Sequence, residues 1–533
     1  MHARGLVRQA ALAVFATMLA AGCLPAPPPA TPAAVAAAEE PWPLSFEGIP
    51  DAPWRAEHAD EHTKELEGGA LLLLRGARLL VGDGTEIASG HVLLSRGRIQ
   101  AVGPGPGQAP PGATVLDVAG KTITPGLIDT HSHMGVYPMP SAAAHRDGNE
   151  MTAPATAAVR AIDSVWAHDP AFERALAGGT TTVQVLPGSA NLIGGRATTL
   201  KVIPAHTPAR MHFGGAPDGL KMACGENPKR VYGGRNQAPM TRMGNLAGQR
   251  SAFLAAKKLI LAWDQFRVTE AQRRAKYAEA TARFEREKKE RAGKLAECRA
   301  TPTRRCRELE ASFAKEPLKA PDPLDPRLPP DRDLGAETLA AAIEGRVIVH
   351  VHCYRADDMS RMLALADEMG FSIRSFHHAL EAYKIRDVLK ERRIGVSTWA
   401  DWWGFKLEAW DGIPENLALI QASGGIPIVH TDSDEGVRRM NQEATKAMWS
   451  GRHAGLAIAD AEAIRWVTMN PAWALGIDAW VGSLTVGKDA DVVVWDRDPF
   501  SVYARVERVF VDGRELFNVD VPKQPWSDFE VKP

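Results

Sequence analysis

The sequence predicts an α/β protein that combines a (β/α)8 barrel of the TIM type with a discontinuous small β-sandwich domain built from both termini. Three observations lead to this prediction. Short β-rich segments lie near both ends of the chain, strand and helix patterns alternate through its middle, and histidines or an aspartate recur where the middle strands end. At 533 residues the chain also exceeds what one hydrophobic core usually holds, so two unequal domains are expected.

The first 40 residues have the pattern of an export signal followed by a tether. In residues 1–22, two arginines precede an apolar run at 10–21 that is too short to span a bilayer. Residues 19–23 resemble the lipobox of bacterial lipoproteins, which implies a lipidated Cys23, and the Pro- and Ala-rich residues 23–40 predict a flexible tether. We expect an exported protein of the periplasm or cell envelope, held to a membrane by its lipid. An ordinary cleaved signal is the alternative.

The β-sandwich domain is expected from residues 41–123 and 479–533. Short β-rich runs separated by glycine-containing turns fill residues 70–123, and matching runs occur at 490–495 and 505–511. Because no cluster of catalytic residue types lies in either flank, we expect the chemistry elsewhere.

The barrel is expected from residues 124–478. Its candidate strands, in chain order, are residues 127–133, 181–186, 198–203, 219–224, 346–352, 372–378, 395–398 and 426–432. The second, third and fourth strands are joined by segments with little helical pattern, which predicts an irregular region there. A charged insertion at about 267–335 predicts a solvated helix, with a partner-binding arm as the alternative.

The five cysteines do not form the pattern of a disulfide framework. Cys298 and Cys306 lie close together in the charged insertion, where a local disulfide and two free thiols both stay open. Cys224 and Cys353 fall inside strand-like segments. The formal net charge of -1 gives no reason to expect nucleic acid as a partner, and association into a homo-oligomer stays open.

Ligand-type side chains recur at the ends of the predicted barrel strands. His131 and His133 are two residues apart on the first strand, so both imidazoles point to one face. Neutral imidazole is a good ligand for zinc and similar ions, but catalytic zinc needs about three protein ligands, so one pair alone also fits a merely polar strand face. The fifth, sixth and eighth strands end in His352, His378 and Asp432 and complete a cluster.

These segments resemble the amidohydrolase superfamily, within it the imidazolonepropionase-like and Xaa-Pro-dipeptidase-like branch. The resemblance covers residues 71–516 apart from the charged insertion. It is carried by Thr-Pro-Gly-Leu-Ile-Asp-Thr-His-Ser-His at 124–133, His-Cys-Tyr-Arg-Ala-Asp-Asp at 352–358, His-Ala-Leu-Glu-Ala-Tyr at 378–383, His-Thr-Asp-Ser at 430–433, and Asn-Pro-Ala at 470–472 followed by Gly-Ser-Leu-Thr-Val-Gly-Lys-Asp-Ala-Asp at 482–491.

The resemblance implies a centre for two divalent ions, whose ligands are His131, His133, Lys221, His352, His378 and Asp432. The first two histidines and the aspartate would bind one ion and the other two histidines the second, while a carboxylated Lys221 would bridge them. Zinc is the default for such a histidine-rich set, and manganese, cobalt and iron stay open.

The function that the resemblance implies is hydrolysis of a C–N bond by metal-activated hydroxide, with Asp432 as general base. The substrate would be a non-peptide amide, a cyclic amide or a dipeptide-like molecule. An Xaa-Pro or N-acyl-amino-acid peptidase is one alternative, in which Arg355 would bind a terminal carboxylate. Tyr232 is a second candidate for substrate binding. A non-catalytic ligand-binding lipoprotein on the same scaffold is an alternative of another class.

The remaining histidines near the cluster predict supporting roles. His350 is expected in the core or beside a ligand, and His430 is expected to orient a ligand or water. His377 directly precedes His378, so strand alternation predicts that it points to the opposite side. Four tryptophans crowd the segment after the seventh strand and predict an aromatic wall near the pocket or a core cluster: Trp399, Trp402, Trp403 and Trp410.

Overall fold

The computed structural model describes residues 70–522. The predicted signal peptide, the lipidation site Cys23 and the tether lie outside these residues and stay predictions. Within the described range, every helix is either too short or too polar to cross a membrane.

The N-terminal flank forms five strands before the barrel begins. Their bounds are β1 (Leu72–Leu80), β2 (Glu86–Ser95), β3 (Arg98–Pro104), β4 (Thr114–Asp117) and β5 (Thr122–Pro125). The second half of β2 alternates between buried and partly buried positions, whereas β5 is buried throughout and β4 is largely exposed.

The eight predicted barrel strands are all present and lie side by side in sequence order. Their bounds are β6 (Leu127–Ser132), β7 (Thr180–Val185), β8 (Ile193–Lys201), β9 (Gly219–Ala223), β10 (Ile348–Cys353), β11 (Ile373–His378), β12 (Gly395–Thr398) and β13 (Ile426–Val429). The first and last strands approach each other as well, because the backbone N–H of Asp432 donates to the carbonyl of His131 at 3.0 Å. The sheet is therefore a nearly closed, TIM-like barrel.

One barrel strand departs from the (β/α)8 pattern. Strand β8 runs antiparallel to both β7 and β9, whereas the other neighbouring strands of the barrel are parallel. Only residues 186–192 connect β7 to β8, and a parallel crossover needs a dozen or more residues. The lack of a helical pattern between these strands thus has a simple cause, since the chain turns back as a hairpin.

The C-terminal flank returns to the strands of the N-terminal flank. Strands β14 (Val492–Trp495), β15 (Val506–Val511) and β16 (Arg514–Asn518) extend the first sheet in the order β16-β15-β14-β5-β1-β2-β3, with β4 on β1. The two flanks meet where β14 pairs antiparallel with β5. Strands from both ends thus share one sheet, and its packing as a separate sandwich domain stays a prediction.

The helices surround the barrel and form the insertion. Their bounds are α1 (Pro170–Ala177), α2 (Pro208–Met211), α3 (Glu226–Gly233), α4 (Arg242–Ala300), α5 (Arg304–Lys315), α6 (Leu334–Ile343), α7 (Ala356–Met369), α8 (Arg386–Glu391), α9 (Asn416–Ala422), α10 (Met440–His453), α11 (Asp460–Ala463) and α12 (Met469–Ala474). Apolar residues of the barrel strands and of these helices form its main cores.

The insertion is dominated by α4, a single helix of 59 residues. Thr241 caps the start of the helix, because its hydroxyl accepts a hydrogen bond from the N–H of Gly244. Its first turns pack on the barrel, where Phe253 is buried and stacks on Phe371 with ring centroids 4.2 Å apart. Beyond them the helix is largely exposed, which agrees with the predicted solvated helix.

Two disulfides join cysteines in the described range. Cys298 and Cys306 are bonded across the turn between α4 and α5, which resolves the alternative left open above. Cys224 and Cys353 are bonded at the ends of the neighbouring strands β9 and β10, a pairing that the sequence did not predict. This second disulfide lies directly beside His352.

Candidate metal centre

The predicted ligand side chains converge at the carboxyl end of the barrel. His131 Nε2 lies 3.1 Å from Lys221 Nζ and 3.6 Å from Asp432 Oδ1, and His133 Nε2 lies 3.2 Å from the same carboxylate oxygen. The rings of His352 and His378 lie beside this group, with centroids 4.4 Å apart, and the His378 ring lies 4.7 Å from that of His131. All six residues named from the sequence are thus brought together.

Hydrogen bonds orient the two histidines of the first strand. His133 Nδ1 lies 2.9 Å from the carbonyl oxygen of Leu186, which can only accept, so Nδ1 carries a proton and the ring presents Nε2 to Asp432. His131 Nδ1 lies 2.8 Å from His377 Nδ1. In both cases the nitrogen nearest Asp432 is Nε2, the arrangement that metal-binding histidines adopt when their other nitrogen is held by the protein.

A chain of hydrogen bonds continues from His131 into the core. His377 Nε2 lies 2.8 Å from the hydroxyl of Ser375, and that hydroxyl lies 2.8 Å from His350 Nδ1. All four side chains are buried. His350 is thus connected to His131 through Ser375 and His377, and its supporting role stays a prediction.

The position of His377 corrects the strand-alternation argument. Alternation predicts that His377 and His378 point to opposite sides, yet both rings contact His131, at centroid distances of 4.9 and 4.7 Å. The reason is the backbone of His378, whose φ of +69° lies in the left-handed region. This region is costly for a residue with a Cβ, and such strain is concentrated at functional sites. Asp432 has the same conformation, with a φ of +51°.

Burial and the neighbouring charged groups of the centre shift the pKa values of its side chains. Burial lowers the pKa of Lys221 to about 8. Burial acts to raise the pKa of Asp432, but the hydrogen bond and charge of His133, together with His430 and Lys221, outweigh it and hold that pKa below its ordinary value. Burial also lowers the pKa of His131 well below its usual range. At neutral pH the centre thus offers the carboxylate of Asp432 and the neutral imidazole of His131.

Asp129 is a buried residue of the centre that sequence reasoning missed. Its Oδ1 accepts hydrogen bonds from the N–H groups of His131 at 3.0 Å and Thr431 at 3.3 Å. It thereby ties the first barrel strand to the loop that carries Asp432. Alternation along the first strand places Asp129, His131 and His133 on one face, and that spacing was the signal available in the sequence.

The donor set fits a metal ion. The Nδ1 atoms of His352 and His378 are buried and lack a hydrogen-bond partner within residues 70–522. Leaving such atoms unpaired costs free energy, which a metal would recover. Ligand atoms within 4.8 Å of one another occur in two groups that share one histidine: His131, His133 and Asp432, and His131, His378 and His430. His430 therefore joins the candidate ligands as well as having the expected supporting position.

The two predicted substrate-binding residues are engaged elsewhere. Arg355 precedes α7 and forms a two-pronged ion pair with Asp357, at 2.9 and 3.1 Å. Tyr232 is fully buried, and its hydroxyl lies 2.6 Å from both the carbonyl oxygen of Ala153 and the side-chain oxygen of Asn191. These contacts do not favour substrate binding by either residue, and both roles stay predictions.

An aromatic wall does line one side of the centre. Trp399 is buried and stacks on His378 at 4.5 Å, and Tyr354 stacks on the same imidazole at 5.0 Å. Trp402 stacks on Trp399 at 4.8 Å and is 41% exposed. The wall predicted from the tryptophans is thus present, although Trp403 and Trp410 pair with each other instead.

A cavity of about 300 Å³ is lined by residues outside the predicted ligand set. Val136, Asn149 and Pro187 are among its lining residues. Tyr137 connects the cavity to the centre, since its ring contacts that of His133 at 5.6 Å and its hydroxyl accepts a hydrogen bond from Asn149. A space of this size accommodates part of a small molecule.

Comparison with known proteins agrees with this fold. The amidohydrolase family model matches residues 412–516. The crystal structure of an amidohydrolase from Thermotoga maritima MSB8 is 30% identical, with a TM-score of 0.66, and the match covers 84% of this chain and all of that one. This chain therefore belongs to the amidohydrolase superfamily.

Two curated relatives are similar over different lengths. Amidohydrolase tasK from Hapsidospora irregularis is 33% identical over 484 residues, which are 85% of this chain and 44% of that protein. The N-substituted formamide deformylase from Arthrobacter pascens is 43% identical over 68 residues, 12% of each chain. The chain thus spans less than half the length of the first relative.

Proposed function

We propose that this protein is a metal-dependent amidohydrolase that cleaves a C–N bond in a small amide, cyclic amide or dipeptide-like substrate. The observation that carries the proposal is the pair of Nε2 atoms, of His131 and His133, that face one oxygen of Asp432 at 3.6 and 3.2 Å. Imidazole nitrogens held by their other ring nitrogen beside a carboxylate are a donor set for zinc or a similar ion.

The centre would hold one or two divalent ions, with zinc as the default. Bound metal would make a water molecule more acidic and polarise the substrate carbonyl. His131, His133 and Asp432 would hold one ion and His352 and His378 the other. The unpaired Nδ1 atoms of His352 and His378 support this second assignment, because nothing else in the described residues uses them.

Asp432 has the properties of the general base. Its pKa lies below the ordinary value, so it is a carboxylate at neutral pH, and its side chain remains 26% exposed. It would accept a proton from the attacking water and pass it to the leaving nitrogen. Its left-handed backbone, anchored by the hydrogen bond to His131, would hold the carboxylate in place for both transfers.

Lys221 has the properties of a lysine that reacts with carbon dioxide. Only the neutral amine is nucleophilic, and burial lowers the pKa of Lys221 to about 8, so more of the amine is neutral near physiological pH. Carboxylation would convert this amine into a group with two oxygen ligands. Its position 3.1 Å from His131 Nε2 would place those oxygens between the two groups of histidines.

We also propose that the protein is exported and held to a membrane by lipid at Cys23. The support is the signal-like pattern of residues 1–22 and the lipobox-like residues 19–23. Labelling of cells with a radioactive fatty acid would test this. Label in the wild-type chain and none in Cys23→Ala is the expected result, and equal label in both would contradict it.

The test of the enzymatic proposal is metal content measured together with hydrolysis. Wild-type protein and Lys221→Ala would be prepared with bicarbonate and assayed on N-acyl-amino acids and cyclic amides. We expect two metals in the wild type, one or none in the variant, and loss of activity with the metal. Lys384→Ala, which changes a lysine that pairs with Asp411 away from the centre, is the control and should retain both.

Each alternative result has a definite meaning. One metal in both proteins would contradict the lysine bridge and indicate a mononuclear site. No metal in either, together with ligand binding, would favour the non-catalytic scaffold and overturn the proposed function.

A further inference from the structure

His131 has a neighbour at each ring nitrogen, and one of them fixes where its proton lies. Its Nε2 lies 3.1 Å from Lys221 Nζ, and an ammonium group can only donate. Asp432 Oδ1, at 3.6 Å, is too distant to accept a hydrogen bond from the same nitrogen. Nε2 therefore keeps its lone pair, and Nδ1 carries the proton. A metal ion bound at Nε2 requires the same tautomer.

His377 accepts the hydrogen bond from that proton. The Nδ1 atoms of His131 and His377 are 2.8 Å apart, which is a hydrogen-bond distance. Because His131 donates, Nδ1 of His377 must be bare, and the proton of the His377 ring lies on Nε2. Metal-binding histidines usually donate to carboxylates or carbonyls, which can only accept. An imidazole can present either a donor or an acceptor, so its own tautomer matters here.

The contacts behind His377 complete a chain of donors and acceptors that agrees with this tautomer. Its Nε2 then donates to Ser375 Oγ at 2.8 Å, and that hydroxyl donates to His350 Nδ1 at 2.8 Å. Ser375 and His377 are two residues apart in β11 and share a face, and His350 pairs with Ser375 from β10. Three neighbouring side chains of the barrel wall thus lie in line behind the candidate ligand.

We propose that His377 is a positioning residue of the metal centre, whose bare Nδ1 holds His131 in the orientation and tautomer that present the Nε2 lone pair to a metal ion. The inference rests on the proposed function and assigns a role to a histidine that lies behind a ligand. Without this acceptor, the buried N–H of His131 would lack a partner, which favours the tautomer that cannot bind metal through Nε2. Loss of such a partner weakens metal binding by about 10- to 100-fold.

Two substitutions at position 377 separate the acceptor from the ring. His377→Asn places a side-chain oxygen on the branch that Nδ1 occupies, whereas His377→Leu has a branch there without an acceptor. The dissociation constant of zinc would be measured on the full chain by competition with a chromophoric chelator. We expect it to rise at least about tenfold in His377→Leu and to stay within about threefold of the wild type in His377→Asn.

Thr445→Val is the control for losing a buried hydrogen bond as such. Thr445 is buried in α10, where its hydroxyl donates to the carbonyl of Asn441 at 2.7 Å. This variant should unfold at a lower urea concentration and bind zinc as the wild type does. If it weakens zinc binding as much as His377→Leu, the effect is one of general stability and the inference is wrong.

Nuclear magnetic resonance of the zinc-loaded wild type tests the tautomers without any variant. With isotopically labelled histidine, a coupling across the hydrogen bond between the two Nδ1 atoms identifies the pair. We expect the proton of His131 on Nδ1 and that of His377 on Nε2. A proton on Nδ1 of His377 would overturn the inference.

The outcomes separate this inference from the proposed function. If the wild type binds no zinc, the proposed function fails and the positioning role with it. If the wild type binds zinc and His377→Leu binds it equally well, the metal centre stands and His377 is only a core residue. Equal weakening by His377→Leu and His377→Asn would also contradict the role of the acceptor.

Discussion

Two buried lysines on adjacent barrel strands have opposite environments. Lys201, at the end of β8, and Lys221, in β9, are each 1% exposed. Lys201 Nζ lies 3.0 Å from Asp489, 3.0 Å from Asp491 and 2.9 Å from Asp512, whereas Lys221 Nζ faces an imidazole nitrogen. The neighbouring carboxylates outweigh burial and raise the pKa of Lys201, while burial lowers that of Lys221 to about 8.

The difference shows how a structural cluster differs from a reactive one. Around Lys201 the charges satisfy one another, and Asp489 pairs with Arg98 as well, so the group links β8 to the flanking sheet. Around Lys221 the lysine has no such set of carboxylates and nearby imidazole nitrogens are unpaired. Equal burial therefore says little about function. Whether the buried groups have all their hydrogen-bond and ion-pair partners says more.

Strand direction keeps the two lysines apart. In β8, Gly195 pairs with Lys221, while Lys201 pairs with Thr182 near the start of β7. Because β8 is antiparallel, its end lies at the amino side of the parallel strands, opposite the metal centre. That side of a barrel serves stability, and the carboxyl side serves catalysis.

The largest effect is expected for Asp432→Asn, which removes the carboxylate of the metal centre. Loss of the general base should lower kcat/KM by roughly 10²- to 10⁴-fold. The free energy of unfolding of the metal-free protein should change by less than about 1 kcal/mol, because the amide preserves the shape of a partly exposed side chain. Steady-state kinetics and urea unfolding check the two values. A large loss of stability would contradict the view that the metal centre, unlike the Lys201 cluster, contributes little to folding.

Lys201→Met should have the reverse effect, with a large loss in the free energy of unfolding and little change in kcat/KM. It leaves three buried carboxylates without their cation, and removing one partner of a buried ion pair costs about 3–5 kcal/mol. Urea unfolding measures this value. Lys446→Met is the matched control, because Lys446 pairs with Asp401 with 42% of its side chain exposed, where such pairs contribute about 0–1 kcal/mol. Similar losses in both variants would contradict the structural role of the cluster.

The smallest effect is a pH dependence within the Lys201 cluster. Burial, opposed by Lys201 and helped by Asp512 and Asp489, raises the pKa of Asp491 to about 6. The folded state thus binds this proton more tightly than the unfolded chain, whose aspartates titrate near about 4. The protonated carboxyl of Asp491 contributes its full stabilisation below about pH 4. This stabilisation is lost as the pH rises through 6.

The stability of the wild type relative to Asp491→Asn should accordingly fall between pH 4 and pH 6.5. Unfolding by urea at a series of pH values gives this difference. A difference that stays constant over the range would show that Asp491 ionises with an ordinary pKa.

Much of the centre could be predicted from the sequence because its signals are local. All eight barrel strands were located from apolar runs. Five of the six ligand candidates stand near the carboxyl ends of their strands or just beyond them, whereas Lys221 lies in the middle of β9. Period-two alternation was enough to pair His131 with His133. The family resemblance added Lys221, whose role no pattern of its own indicates.

Tertiary structure alone decided the remaining features, and each has a physical reason. The Lys201 cluster and the Cys224–Cys353 disulfide join residues 129 to 311 positions apart, and local sequence patterns carry no information on such partners. The inward turn of His377 and His378 depends on a left-handed backbone that a residue with a Cβ rarely adopts, so alternation predicted the wrong side. Residue types and strand order thus determined what the barrel could bind. Packing decided which buried groups were already paired with one another, as around Lys201, and which imidazole nitrogens stayed free to bind a ligand.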